Sequence, residues 1–194
     1  MENLLEHIEV LISAEEIEAR NRELGAQITK DFAGESIHVI GVLKGCYIFL
    51  ADLVRHIDLD VSCDFLSVSS YGASTRSSGV VRMIRDLSEP VEGRNVVLIE
   101  DIVDTGLTMK YLLANIKTRH PKSVSVCTLL HKPGGQQGAG VPLDYVGFTI
   151  PDKFVIGYGL DYIEFYRNLP YIGYVPEIDE RSQDEDARQA AESE

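Results

Sequence analysis

Glu100 and Asp101 are adjacent carboxylates that follow the apolar run VVLI, and Asp104, Thr105, Gly106, Leu107 and Thr108 come directly after them in the segment VVLIEDIVDTGLT. Two neighbouring carboxylates at a strand end offer hard oxygen ligands for a divalent cation, or acceptors for a diol. The D-T-G-L-T turn adds backbone N–H groups, two hydroxyls and a flexible glycine where a helix begins, which are the makings of a phosphate cradle. Cation and phosphate would then lie side by side. The segment has neither the G-x-x-x-x-G-K-[ST] of a P-loop nor a G-x-G-x-x-G opening a helix. Taken alone, D-T-G-L-T reads equally well as a helix cap with no ligand. The acids, the turn and the preceding apolar strand together point to a ligand site.

In open parallel sheets ligands bind beyond the carboxyl ends of the strands, so a strand-to-helix turn is the first place to look for such residues. The chain alternates in a way that builds such a sheet. Ser13 and Glu16 form the capping-box pattern S-x-x-E, and Ile17, Leu24, Ile28 and Phe32 recur at helical spacing until Gly34 offers an end. IHVIGVL (37–43) is apolar almost throughout, as a strand buried on both faces requires. CYIFLADLVRHI then suits a helix, VSCDFLSVS (61–69) alternates as a strand, and VVRMIRDL resumes β character after the polar stretch 70–79. NVVLIE predicts a strand, 108–119 a helix and SVSVCTLL the next strand, with Pro121 standing between the last two. DYVGFTI and KFVIGYG are further strand candidates beyond a Gly-rich connector. Strands alternating with helices imply an α/β fold whose central sheet is mostly parallel, with right-handed connections. No internal repeat is present.

Composition limits the partners. Hydrophobic residues make up 44% of the 194 and charged residues 25%, within the range of globular chains. No apolar run reaches the roughly 18 residues of a membrane span. The N-terminus MENLLEHIEVLISAEE lacks a basic region followed by an unbroken apolar one, so no secretory signal is expected and the cytoplasm is the expected compartment. Cys46, Cys63 and Cys127 show no C-x-x-C spacing and read as small buried hydrophobes rather than a disulfide framework or zinc site. The net charge is -13; residues 177–194 hold eight acids and two bases, or -6, leaving -7 for residues 1–176. That acidic segment, with one large apolar residue, is expected to be a disordered tail. The acidic balance argues against a nucleic-acid partner held by phosphate contacts.

VVLIEDIVDTGLT resembles the signature of type I phosphoribosyltransferases, which bind 5-phosphoribosyl 1-pyrophosphate. V-L-K-G (42–45), S-Y-G (70–72), L-L-H-K-P (129–133), I-P-D-K-F-V (150–155), G-Y-G-L-D-Y (157–162) and Y-R-N-L-P-Y (166–171) are similar to the 6-oxopurine branch, the hypoxanthine-guanine enzymes. The resemblance implies a domain over 1–176 with a core of about 37–150 and a small hood built from about 1–36 and 151–176. It implies Mg2+ as cofactor, a 6-oxopurine and 5-phosphoribosyl 1-pyrophosphate as substrates, and a homo-oligomer, dimer or tetramer.

By the same resemblance, Glu100 and Asp101 face the ribose hydroxyls close to the metal, and Asp104 handles a proton at purine N7. Asp104, Thr105, Gly106, Leu107 and Thr108 hold the 5′-phosphate, a role the helix start predicts independently. Lys132 donates to O6 of the purine, Phe154 stacks on it, and the Val155 backbone reads its far edge. Asp161 lies at a second metal through water, near the exocyclic groups. Lys44, Gly45 and Arg167 contact pyrophosphate, and Leu43-Lys44 is expected as a cis peptide. Ser70 and Tyr71 belong to a lid that excludes water from the reacting centre. His131 departs from the aspartate that many bacterial relatives carry before the lysine. Two other functions stay open at this point: a xanthine-preferring enzyme, and a non-catalytic regulator sensing the phosphoribosyl ligand. The second would need a basic surface or an added DNA-binding module.

Overall fold

The runs that read as doubly buried strands form the middle of one sheet. The computed structural model describes residues 7–70, 81–133 and 140–176. Within them lie β1 (Glu9–Ile12), α1 (Ala14–Asp31), β2 (Ile37–Leu43), α2 (Tyr47–Val54), β3 (Val61–Ser70) and β4 (Val81–Arg85). They are followed by β5 (Asn95–Val103), α3 (Leu107–Lys117), β6 (Ser123–His131), β7 (Tyr145–Thr149), β8 (Val155–Ile156) and β9 (Ile172–Tyr174). The main sheet has the order β4-β3-β2-β5-β6-β7. All its pairings are parallel except that of β3 with β4, so the expected α/β architecture with a mostly parallel sheet is present.

Alternation along β5 shows why the central strands are apolar throughout. Val97 and Ile99 pack into a core with Leu24 and Ile28 of α1 and Phe49 and Leu53 of α2. Val96 and Leu98 point the other way, into a core with Met109, Leu112 and Ile116 of α3. Successive side chains face opposite sides of a strand, so a sheet covered on both faces needs apolar residues at every position. Each such side chain contributes roughly 1.5–3 kcal/mol when fully buried. α1 starts as its capping box predicts, with Ser13 Oγ accepting from Glu16 N–H at 3.2 Å and Glu16 Oε2 accepting from Ser13 N–H at 2.8 Å.

A second sheet, of order β1-β9-β8, is antiparallel and joins residues from the two ends of the chain. Two expectations need correction. KFVIGYG is not one strand: only Val155–Ile156 is extended, because Gly157, Tyr158 and Gly159 all take positive φ, at 95°, 48° and 105°. Cys46 and Cys127 are buried, but Cys63 is exposed. The acidic segment 177–194 and residues 71–80, which include Tyr71, lie outside the described residues. Among the described residues, no helix is long and apolar enough to cross a membrane.

Candidate active site

The register of the central strands brings their carboxyl ends level. Gly41 pairs with Ile99, Glu100 with Thr128 and Val103 with His131, so the residues after β2, β5 and β6 emerge on one edge. Glu100 is buried, and its Oε2 has no hydrogen-bond partner among the described residues. The Asp101 carboxyl stands beside it. Burial lifts the Glu100 carboxyl well above its usual range, and the adjacent Asp101 charge adds to this. Burial also lifts Asp101, against the opposing pull of the neighbouring Glu100 carboxyl, of backbone N–H groups and of the Arg167 charge. Two acids forced together in a dry place, one with an unsatisfied oxygen, make a pair that favours a proton or a cation.

Beyond them the chain turns into α3. Gly106 occupies the helix N-cap at φ 72°, a left-handed conformation that favours glycine, and among the described residues no side chain hydrogen-bonds to this cap. The first-turn amides of a helix have no partner inside it, so an outside acceptor is what would satisfy them. Glu100, Asp104, Thr105, Gly106 and Thr108 line one cavity at this helix start. Asp104 is exposed.

The turn after β2 closes against this edge. Its Leu43-Lys44 peptide is cis, as the resemblance implies. A Cβ at Gly45 would lie 1.5 Å from Asp101 Oδ2, so only glycine lets the turn approach the carboxylate. On its other side, a Cβ at Gly159 would lie 2.0 Å from Gly45 O. Arg167 donates to Gly159 O at 2.8 Å and pairs with Asp161 at 2.6 Å. Lys44, Gly45, Asp101, Asp161 and Arg167 are thereby brought into one constellation.

Lys132 follows β6, and its backbone N–H donates to Val103 O at 3.0 Å. Its side chain is only 12% exposed, with Nζ 3.3 Å from Asp152. Phe154 is 39% exposed and meets Tyr162 edge to face, ring centroids 5.8 Å apart. Val155 is buried at the start of β8. Ser70 ends β3. Among the described residues, no three His, Cys, Asp or Glu side chains form a metal-holding group: Glu100 and Asp101 come together, while Asp161 is taken up by Arg167. Sequence reasoning missed Asp152, Tyr162 and Glu164, the last of which pairs with Lys44 at 2.6 Å. Only Tyr162 and Asp152 lay inside motifs that could have flagged them.

Residues 9–163 match the phosphoribosyl transferase domain. The chain is 54% identical over 164 residues to a hypoxanthine-guanine phosphoribosyltransferase of Bacillus subtilis, covering 84% of this chain and 91% of that one. It is 52% identical over 170 residues to one from Mycobacterium avium, covering 84% and 83%. Its fold is similar to the crystal structure of a hypoxanthine phosphoribosyltransferase from Staphylococcus aureus, with a TM-score of 0.85 and 45% identity over 92% of this chain and 98% of that one.

Proposed function

The chain belongs to the phosphoribosyltransferase family, and from that membership we propose that it carries the 5-phosphoribosyl group of 5-phosphoribosyl 1-pyrophosphate to N9 of hypoxanthine or guanine. The products are IMP or GMP and pyrophosphate. It is a purine-salvage transferase. The observation that carries the reading is the level edge of the sheet, where the Glu100–Asp101 pair, the uncapped start of α3 and Lys132 stand at adjacent strand ends.

The bond from ribose C1 to pyrophosphate breaks as the bond to purine N9 forms, through an oxocarbenium-like centre that negative charge nearby stabilises. Glu100 and Asp101 orient the ribose hydroxyls. The α3 amides, with Thr105 and Thr108, hold the 5′-phosphate through Asp104, Thr105, Gly106, Leu107 and Thr108. Asp104 takes the proton associated with N7. Lys132 donates to O6, which rejects adenine because a 6-amino group presents N–H where an acceptor is needed. Phe154 stacks on the base and the Val155 backbone reads its far edge, with Asp161 near the exocyclic groups. Lys44, Gly45 and Arg167 receive pyrophosphate, and Ser70 and Tyr71 belong to the lid that keeps water out.

Magnesium fits the Glu100–Asp101 pair on its donor set: hard oxygens, one of them without a partner among the described residues, and a charge repulsion that a cation relieves. Two carboxylates suit an ion that keeps several waters and takes substrate oxygens as further ligands. When bound it supplies charge neutralisation for the leaving pyrophosphate. The small sheet serves as a hood formed from residues 1–36 and 151–176, the acidic tail 177–194 is dispensable for catalysis, and the enzyme works in the cytoplasm as a homodimer or homotetramer. A spectrophotometric assay with magnesium, 5-phosphoribosyl 1-pyrophosphate and each of hypoxanthine, guanine, xanthine and adenine tests the reading. Turnover of hypoxanthine and guanine, with adenine refused, is expected. Activity with adenine alone, or with no base, overturns it.

A further inference from the structure

Tyr162 and Phe165 exchange backbone hydrogen bonds, each N–H donating to the other's carbonyl at 3.1 Å. The two residues between them are both left-handed, Ile163 at φ 51° and Glu164 at φ 68°. This is the geometry of a type I′ turn, which ordinarily carries Asn-Gly or a similar pair because side chains, β-branched ones above all, resist positive φ. Here Ile and Glu fill it. Packing does not explain the choice, since Ile163 and Phe165 are each 69% exposed. A backbone held where its residues resist it marks a geometry kept for something other than stability.

What the turn delivers is the Glu164 carboxylate. It lies 2.6 Å from Lys44 Nζ and 3.8 Å from Arg167 Nη2. Asp161 accepts the Glu164 backbone N–H at 2.8 Å while gripping Arg167 at 2.6 Å. Lys44 and Arg167 come from distant parts of the chain, and they are the two cations assigned above to pyrophosphate. We propose that Glu164 is a placeholder for pyrophosphate: its carboxylate neutralises Lys44 and stands by Arg167 when the leaving group is absent, and gives way when pyrophosphate arrives. The inference rests on that assignment of Lys44 and Arg167. Glu164 is a positioning residue, acting on the reaction through these two cations.

Solvent exposure makes the exchange workable. Lys44 and Glu164 side chains are 65% and 67% exposed, and an exposed ion pair is weak enough to be replaced by a multiply charged anion. A buried pair would hold the cations shut. Competition is the consequence, because whatever Glu164 contributes to Lys44 is lost when pyrophosphate binds.

The test is calorimetric titration of the full chain with magnesium pyrophosphate at low and high salt. Three proteins are compared: wild type, Glu164→Gln, which keeps the size of the side chain and removes its charge, and Glu35→Gln. Glu35 pairs with Lys122 before the amino ends of the strands, away from the site. Glu164→Gln is expected to bind pyrophosphate about two- to five-fold more tightly, the range an exposed ion pair can contribute. The gain should shrink at high salt, the KM for the purine should not move, and Glu35→Gln should match wild type. A merely structural Glu164 would change none of these. Equal or weaker binding by Glu164→Gln, beside a wild type that binds, overturns the placeholder and leaves the pyrophosphate assignment intact. A wild type that does not bind pyrophosphate overturns both.

Discussion

The starts of α1 and α3 face the same backbone problem and answer it differently. At α1, Ser13 and Glu16 satisfy each other's amides, and the helix start is closed by its own side chains. At α3, Gly106 sits at the cap with no side-chain bond, and Glu100 before it is buried with an oxygen that finds no partner among the described residues. The first arrangement stabilises the chain and leaves nothing for a ligand. The second gives up that stabilisation, and a phosphate and a cation are the groups that would restore it. Polar groups satisfied inside the chain belong to the fold, and those satisfied only from outside belong to function.

On this division, changes at the start of α3 should alter activity whatever they do to stability, and changes at the start of α1 should alter stability alone. Asp104→Asn is expected to have the largest effect. General acid-base help is worth about 10²- to 10⁴-fold in rate, so kcat with hypoxanthine should fall by that order. The thermal midpoint should hold, because Asp104 is exposed. Unchanged turnover would remove Asp104 from the chemistry. Gly106→Ala comes next, since a left-handed position costs a residue with a Cβ roughly 1–2 kcal/mol. Chemical denaturation should show that loss, and the KM for 5-phosphoribosyl 1-pyrophosphate should rise while that for the purine stays. Ser13→Ala should cost about 1 kcal/mol of stability with kcat and both KM values unmoved. A change in activity there would break the comparison.

How much of this could be read in the sequence depends on how local each feature is. The acids, the turn and α3 are contiguous, so VVLIEDIVDTGLT displayed strand, ligand groups and helix start together, and the capping box of α1 was equally plain. Residues 157–167 were not legible. Val155, Ile156 and Tyr158 favour extended structure, yet φ is positive at 157, 158 and 159 and again at 163, 164 and 166. Only two of these six are glycines, so composition gave no warning. Their conformation is held from far away. Tyr158 donates to Asp52 at 2.7 Å and accepts from Asn21 at 2.8 Å, and Glu164 reaches Lys44 across 120 positions. β1 was missed for the same reason, since its four residues become a strand only by pairing with β9.

The comparison is sharpened by His38, which shows that an unsatisfied polar atom is not enough. His38 Nε2 is buried without a partner among the described residues, as Glu100 Oε2 is. Its surroundings differ. Nδ1 lies 2.8 Å from Ser62 Oγ and 3.2 Å from Arg94, with Asp64 and Glu89 supplying opposing charge, and no ligand group of the site is among them. Burial, then the Arg94 charge, lowers its pKa from the ordinary 6.5, outweighing the two acids. A group whose folded pKa is depressed contributes stability that is present above its unfolded pKa and lost as pH falls through the folded value. Denaturant midpoints should therefore hold near pH 7 and decline as pH drops below 6.5, the smallest of the four effects. His38→Gln, which cannot titrate, should flatten that decline while the Michaelis constants at pH 7 stay those of the wild type. The same pH slope in His38→Gln would assign the loss to other groups. A shift in its Michaelis constants would mean that His38 and Glu100 belong to one system, and the line between fold and site would have to be redrawn.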